Sequence, residues 1–127
     1  MSDAPSPAAG GPSSPAGPAA ELSISEFQRL AFRIGVILSA EDHPNADRLL
    51  VLKVDIGEAA PRQIVAGIKA SYAATDLVGK RVVVLTNLKP ALLRGIESQG
   101  MVLAASDSSG ITLVGPERPM QPGSTVK

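Results

Sequence analysis

Short runs of β-branched residues, separated by turn residues, are the feature that most limits how this chain can fold. The run KRVVVLT is the most apolar of them, and Gly, Pro, Asn and Asp separate it from its neighbours. Runs of this length at such intervals are typical of small β-sandwiches and barrels. The sequence therefore predicts an all-β domain, with strands at residues 32–39, 48–56, 62–68, 80–86, 101–105 and 111–114.

The opening strand shows the period of two that a half-buried strand requires. Its residues alternate between one set, Phe32, Ile34, Val36 and Leu38, and a second set, Arg33, Gly35, Ile37 and Ser39. Successive side chains of a strand point to opposite faces, so the alternation predicts one inward face, formed by the first set. The pattern ends at residues 43–47, because Pro44 cannot donate to a sheet and Asn45 and Asp47 favour turns.

Helix is the minority element of the predicted fold. Residues 70–77 are rich in Ala, and Gly79 follows as a C-terminal stop, so we expect a short helix there. Three strands, a short helix and two further strands form the order of a five-stranded OB-fold, a Greek-key barrel. From the pattern alone, an SH3-like barrel remains the alternative.

The first twenty residues differ in composition from the rest of the chain. Beyond Met1 and Asp3 they contain only Ala, Gly, Pro and Ser. A segment of this kind cannot bury enough apolar surface to offset the entropy of ordering it. We therefore predict a disordered tail at residues 1–20 and one OB-fold domain at residues 21–127, with terminal extensions to the barrel.

Charge and composition exclude several classes of function. Twelve basic residues balance twelve acidic ones, so any nucleic-acid site must be a local cluster. Cysteine is absent, which excludes disulfides and thiolate chemistry, and no apolar stretch is long enough to cross a membrane. We expect a cytoplasmic protein with no membrane partner.

The sequence also lacks a constellation of catalytic or metal-ligating residues. His43 is the only histidine, and the carboxylates lack ligand spacing, so we expect no metal site and a solvated or packing role for His43. Ser98 lies in GIESQG, which does not match the Gly-x-Ser-x-Gly nucleophile motif. We therefore predict no enzyme activity, no catalytic residue and no cofactor.

Three motifs, in this order along the chain, carry a resemblance to a known family: HPNADRL at 43–49, RQIVAGI at 62–68, and NLKP leading to RGIESQGM at 87–101. Together they resemble the structure-specific tRNA-binding domain family. That family includes the C-terminal domain of bacterial methionyl-tRNA synthetases and free-standing tRNA-binding homodimers. The resemblance implies an OB barrel that dimerises and recognises the shape of tRNA, without chemistry or a cofactor.

The resemblance also implies where tRNA would bind. Asn45 and Arg48 in the first loop, and Ser98 and Met101 in the third motif, match the family's tRNA-contacting positions. Lys53, Lys89 and Arg94 are added on physical grounds, as basic residues near those positions in the sequence. Aromatic residues are scarce, which favours recognition through phosphate, sugar and shape over base stacking.

Several of these residues have a purely structural alternative. The HPNAD segment could be a polar turn, and Gly100 and Met101 could serve close backbone approach and barrel packing. The expected partners are tRNA, a second copy of the chain and an aminoacyl-tRNA synthetase aided in trans. An export-related chaperone on the same dimeric fold is the alternative function. We expect dimerisation because the opening strand has apolar residues on both faces, and because residues 122–126 leave further surface to cover.

Overall fold

The structure is a computed structural model that describes residues 20–127, together with Ser2–Asp3 and Pro7–Ala8. These two short segments pair as parallel strands. The disorder predicted for residues 1–20 otherwise falls on residues outside this description. Within the described part of the chain, no helix has the length and apolar character needed to cross a membrane.

The rest of the described chain consists mainly of short antiparallel strands. One α-helix, α1 (Ile24–Phe27), precedes them, and a 3₁₀ helix (Ala74–Asp76) lies between the third and fourth strands. The strands are β1 (Phe32–Asp42), β2 (Leu50–Asp55), β3 (Arg62–Ala66), β4 (Arg81–Leu85), β5 (Ala91–Leu93), β6 (Ile96–Ser98), β7 (Met101–Val102), β8 (Ala104–Asp107), β9 (Gly110–Leu113) and β10 (Thr125–Val126).

The main sheet has the strand order β3-β2-β1-β4-β7, and β10 pairs with β1 beside it. Gln99, just before β7, returns to the other edge of this sheet, where its backbone N–H donates to the Gln63 carbonyl at 2.7 Å. The sheet is thereby nearly closed into an antiparallel barrel. The prediction of an all-β, OB-like barrel is confirmed.

The barrel is filled by β-branched residues and leucines that the sheet directs inward. Fully buried members of this core include Ile37, Leu52, Val54, Ile64 and Val84. Such residues suit a pleated, buried surface, which explains why the apolar runs of the sequence form these strands.

The predicted inward face of β1 was wrong. Ile37 belongs to the core, whereas Leu38 is 48% exposed. A Cβ added to Gly35 would lie 2.5 Å from Val54 Cγ1, so Gly35 also faces the barrel interior. The pairing of β1 with β2 shifts at Leu38, which places two residues opposite one and changes the alternation. Close approach of β2 therefore requires glycine at position 35, and because glycine has no apolar side chain, apolarity alone pointed to the wrong face.

The short elements also depart from the predictions. The helix expected at residues 70–77 is reduced to the 3₁₀ helix Ala74–Asp76. Helix α1 was missed, although Ser23 and Glu26 form the capping box that marks such a start. The β5–β6 hairpin, which begins directly after Pro90, was not predicted either.

Candidate nucleic-acid interface

The loop at residues 43–49, called the first loop below, is built around a buried histidine. His43 is only 4% exposed, and its Nδ1 accepts a hydrogen bond of 2.9 Å from the Asn45 backbone N–H. The His43 N–H donates to the Leu49 carbonyl at 3.1 Å, which closes the loop at its base. The histidine therefore packs inside, and the side chains of Asn45 and Arg48 are left exposed.

A second basic residue lies beside Arg48. The Lys69 N–H donates to the Arg48 carbonyl at 3.4 Å, and Lys69 Nζ lies 3.3 Å from Asp42 Oδ2. Sequence analysis missed Lys69, because only the fold brings the segment after β3 back to the first loop. Lys69 is therefore a further basic residue next to the first loop, and its ammonium group is paired with Asp42.

Arg94 lies at the tip of the hairpin formed by β5 and β6. Leu93 pairs with Ile96, so Arg94 and Gly95 form a two-residue turn, and both have positive φ, 54° and 91°. Two positive φ values define a type I′ turn, which strongly prefers Asn, Asp or Gly. The exposed arginine at the first position therefore has an energetically unfavourable backbone conformation. Strained conformations of this kind are concentrated at functional sites.

The hairpin is fastened to the barrel at its base. Ser98 is 5% exposed; its Oγ accepts from the Val65 N–H at 3.0 Å and donates to the Gly100 carbonyl at 3.1 Å. Gln99 Oε1 accepts from the Gln63 N–H at 3.0 Å. The structure thus places the Ser98 hydroxyl inside the protein, bonded to backbone groups rather than to a side-chain base.

Arg62, at the start of β3, links this strand to the segments that follow β4 and β6. We call this junction the seam. Arg62 Nη1 donates to the carbonyls of Thr86 and Gln99, at 2.6 and 3.1 Å. Its remaining nitrogens bind the Glu58 carboxylate in a bidentate ion pair, with distances of 3.0 and 2.9 Å. The hydrogen bond from Arg62 lowers the pKa of Glu58. Arg62 was predicted only as the first residue of the RQIVAGI motif, without a role of its own.

Lys53 connects the β2–β3 pair to the hairpin. Lys53 Nζ donates to Gln63 Oε1 at 2.8 Å, and Gln63 Nε2 donates to the Glu97 carbonyl at 2.8 Å. The Lys53 side chain is exposed on the same side as the hairpin. Met101, at the foot of the hairpin, is half-buried and pairs with Leu85.

The described geometry therefore brings most predicted residues to one surface, which we call the loop–hairpin face. It comprises the first loop, the exposed side of β2 and β3, and the β5–β6 hairpin. Lys89 is exposed in the segment leading into the hairpin, and no contact among the described residues joins it to the other basic side chains. Leu92, 74% exposed on β5, is an apolar member of this face that sequence analysis did not single out.

Among the described residues, no group of three or more His, Cys, Asp or Glu side chains could hold a metal ion. Both ring nitrogens of His43 have partners, since Nε2 lies 2.9 Å from the Leu93 carbonyl oxygen. What the face offers is exposed guanidinium, ammonium and amide groups beside apolar side chains. These are the groups that contact phosphate and sugar.

A protein-family model described as "Putative tRNA binding domain" matches residues 32–125. The chain therefore belongs to the tRNA-binding domain family. It is 46% identical over 106 residues to the methionine–tRNA ligase of Thermococcus kodakarensis, and 43% identical over the same length to that of Nanoarchaeum equitans. These matches cover 84% of this chain and 14% of each ligase, so the chain spans about one seventh of these relatives.

Solved structures show the same relationship. A protein related to methionyl-tRNA synthetase from Pyrococcus horikoshii superposes with a TM-score of 0.78 at 30% identity, covering 86% of this chain and all of that one. The chaperone CsaA from Bacillus anthracis gives 0.77 at 28% identity, covering 85% and 100%. The C-terminal domain of Plasmodium vivax p43 gives 0.74 at 38%, covering 78% and 60%.

Proposed function

We propose that this chain binds folded tRNA through the loop–hairpin face, without catalysing a reaction. The observation that carries this proposal is the position of Arg48, Lys53 and Arg94. They come from three separate sequence segments of a chain whose net charge is zero, and each is exposed. Hydrogen bonds between His43 and Leu93, and between Gln63 and both Lys53 and Glu97, connect these segments. A local basic cluster on a neutral protein serves phosphate binding without general attraction to polyanions.

Asn45 would complement these charges by hydrogen bonding to phosphate or ribose, since its backbone is held by His43 and its amide is exposed. Leu92 and Met101 would contact sugar or base with apolar surface. Lys89 would add a peripheral charge at the foot of the hairpin. Ser98, by contrast, would act indirectly by fixing the hairpin to β3, because its hydroxyl is buried and its hydrogen bonds are made.

The proposal is tested by titrating total tRNA in a gel-shift assay across a range of salt concentrations. Few phosphates can be neutralised, so log Kd should change only moderately with log salt concentration. Single-stranded RNA of equal length should compete poorly. The matched control is Arg118→Glu, an exposed arginine beside Tyr72 and Lys80 and outside the loop–hairpin face. If this variant weakens binding as much as Arg48→Glu, or if single strands compete equally, the proposed site is wrong.

We further propose a homodimer, now through α1. The surfaces on which dimerisation was predicted are partly covered within the chain: Ile34 of β1 is only 4% exposed, and residues 122–126 bind β1 through backbone hydrogen bonds. Helix α1 instead buries none of its residues, and Ile24 is 70% exposed. The connection after α1 is nevertheless held by the Asn87 side chain, which donates to Arg29 O at 2.6 Å and accepts from Ala31 N at 2.9 Å.

Phe27 of α1 packs against Phe32, with ring centroids 6.1 Å apart, whereas Ile24 has no such cover. An exposed apolar residue on an anchored segment fits burial against a second copy. Sedimentation at micromolar concentration should give about twice the mass of 13.0 kDa. Ile24→Glu should shift the protein to monomer, whereas Val78→Glu, at another β-branched residue that is 58% exposed, should not. A wild-type monomer at these concentrations would exclude this assembly.

The biological role we propose is assistance to a methionyl-tRNA synthetase in trans in the cytoplasm, because the matched curated relatives are methionine–tRNA ligases. Adding the chain to such a synthetase should lower the KM for tRNA and leave the KM for methionine unchanged. The second candidate is the chaperone function named for the CsaA structure, which the TM-score of 0.77 favours. Suppression of aggregation of an unfolded protein by Arg48→Glu as well as by wild type, without tRNA binding by either, would support that candidate instead.

A further inference from the structure

His43 is placed between two segments of the loop–hairpin face that are fifty residues apart in sequence. Its Nδ1 lies 2.9 Å from the Asn45 backbone nitrogen, and its Nε2 lies 2.9 Å from the Leu93 carbonyl oxygen. A backbone N–H can only donate and a carbonyl can only accept. The ring is therefore neutral, with the hydrogen on Nε2 and the lone pair on Nδ1.

The bond to Leu93 holds a part of the hairpin that has little other support. The base is fixed to β3 through Ser98 and through the Gln63 bond to Glu97. Near the tip, by contrast, the residues on either side of Leu93, namely Leu92 and Arg94, are both exposed. Within residues 20–127, the His43 bond is the one hydrogen bond between the first loop and the hairpin.

We infer that His43 is a positioning residue that sets the separation between the first loop and the Arg94 turn, so that both meet one tRNA together. This inference rests on the proposed tRNA binding. Because the two segments are held at a fixed separation before tRNA binds, contact with the second segment costs little further conformational entropy. A free hairpin tip would lose part of that advantage, even though Arg94 itself would still be present.

Two substitutions separate the two bonds of the ring. In His43→Asn, the side-chain oxygen can still accept from the Asn45 N–H, as in an Asx-turn, but the side chain is too short to reach Leu93. In His43→Gln, the amide nitrogen can reach the Leu93 carbonyl, and the bond within the first loop is lost. We expect Asn to weaken tRNA binding by about 3- to 10-fold and Gln to restore most of the loss.

A structural contribution alone would not order the variants in this way. Both substitutions remove the same buried imidazole ring, so both should lower the melting temperature. The Kd for tRNA is therefore compared at a temperature well below the unfolding transition of either variant. If Gln binds tRNA as poorly as Asn or more poorly, while both are folded, the link to Leu93 does not set the affinity and the inference is wrong.

A double-mutant cycle measures the positioning directly. Arg94→Ala should cost less affinity in the His43→Asn background than in wild type, because the turn is no longer held in place. Lys53→Ala is the matched control, since Lys53 is held through Gln63 on β3 and should cost the same in both backgrounds. Additive losses for Arg94 as well as for Lys53 would overturn the inference.

A final measurement needs no tRNA and so separates this inference from the proposed function. Backbone ¹⁵N relaxation of the free protein should show lower order parameters at residues 93–95 in His43→Asn than in wild type or His43→Gln. Unchanged order parameters would show that His43 does not restrain the hairpin tip, whether or not the protein binds tRNA. Failure of the wild type to bind tRNA, with the changed order parameters observed, would exclude the proposed function and leave only the restraint of the hairpin tip by His43.

Discussion

The base and the tip of the β5–β6 hairpin belong to one sequence motif and differ in nearly every physical respect. At the base, Ser98 is buried and both of its hydrogen bonds are to backbone atoms. At the tip, Arg94 is exposed, and its backbone adopts a conformation that arginine disfavours. One sequence motif therefore combines residues that keep the barrel closed with exposed residues that are available to bind a ligand.

The largest expected effect is on stability, at the base. Ser98→Ala leaves the buried Val65 N–H without its partner, which should cost about 1 to 3 kcal/mol of unfolding free energy. For a domain near 100 residues, each kcal/mol lowers the melting temperature by about 4 to 8 °C. Thermal unfolding followed by circular dichroism measures the change, with the exposed Ser106→Ala as control. Affinity for tRNA below the transition should change little; a large loss of affinity at unchanged stability would mean that Ser98 contacts tRNA directly.

The next largest effect is on binding, in the first loop. Arg48→Glu should weaken all tRNAs alike by about 1 to 2 kcal/mol, because a phosphate contact is replaced by repulsion and phosphate carries no sequence information. The melting temperature should stay within a few degrees, since the side chain is exposed. Filter binding with several purified tRNAs tests this, and a loss confined to one tRNA would argue against recognition of the backbone.

Arg94→Asn should separate stability from binding at one position. It creates Asn-Gly, the preferred pair for a type I′ turn, and should stabilise the protein by up to about 1 kcal/mol. It also removes a charge from the loop–hairpin face, so tRNA affinity should fall. Denaturant unfolding and tRNA titration are measured on the same sample. A variant that is more stable and binds equally well would show that Arg94 has no part in binding.

The smallest effect concerns pH at the seam. Arg62 lowers the pKa of Glu58 in the folded protein, so this pair adds stability above the ordinary value of 4.5, and the gain is lost as pH falls through the lowered value. The pair is partly exposed, so the change should be slight. Glu58→Gln should flatten the acid limb of the melting temperature against pH, while Glu117→Gln should not. Parallel curves for wild type and Glu58→Gln would mean that the pair contributes nothing.

The sequence by itself determined the class of fold and the motifs that contribute residues to the proposed binding surface. Runs of β-branched residues predict strands because their side chains fit a pleated, buried surface, and turn residues predict where the chain reverses. Asn45 and Arg48 could be singled out because the HPNADRL motif resembles that of the tRNA-binding domain family. These inferences depend on neighbours in sequence, which the sequence contains.

Only the tertiary structure decided which face of β1 is inside and which motif residues are free. Gly35 faces the core because Val54 of β2 leaves no room for a side chain, and no local pattern encodes the approach of another strand. Ser98 is buried because the hairpin folds onto Val65, and Lys69 joins the first loop because β3 ends beside it. Burial and hydrogen-bond partners of this kind depend on contacts between residues distant in sequence, and those exist only once the barrel closes.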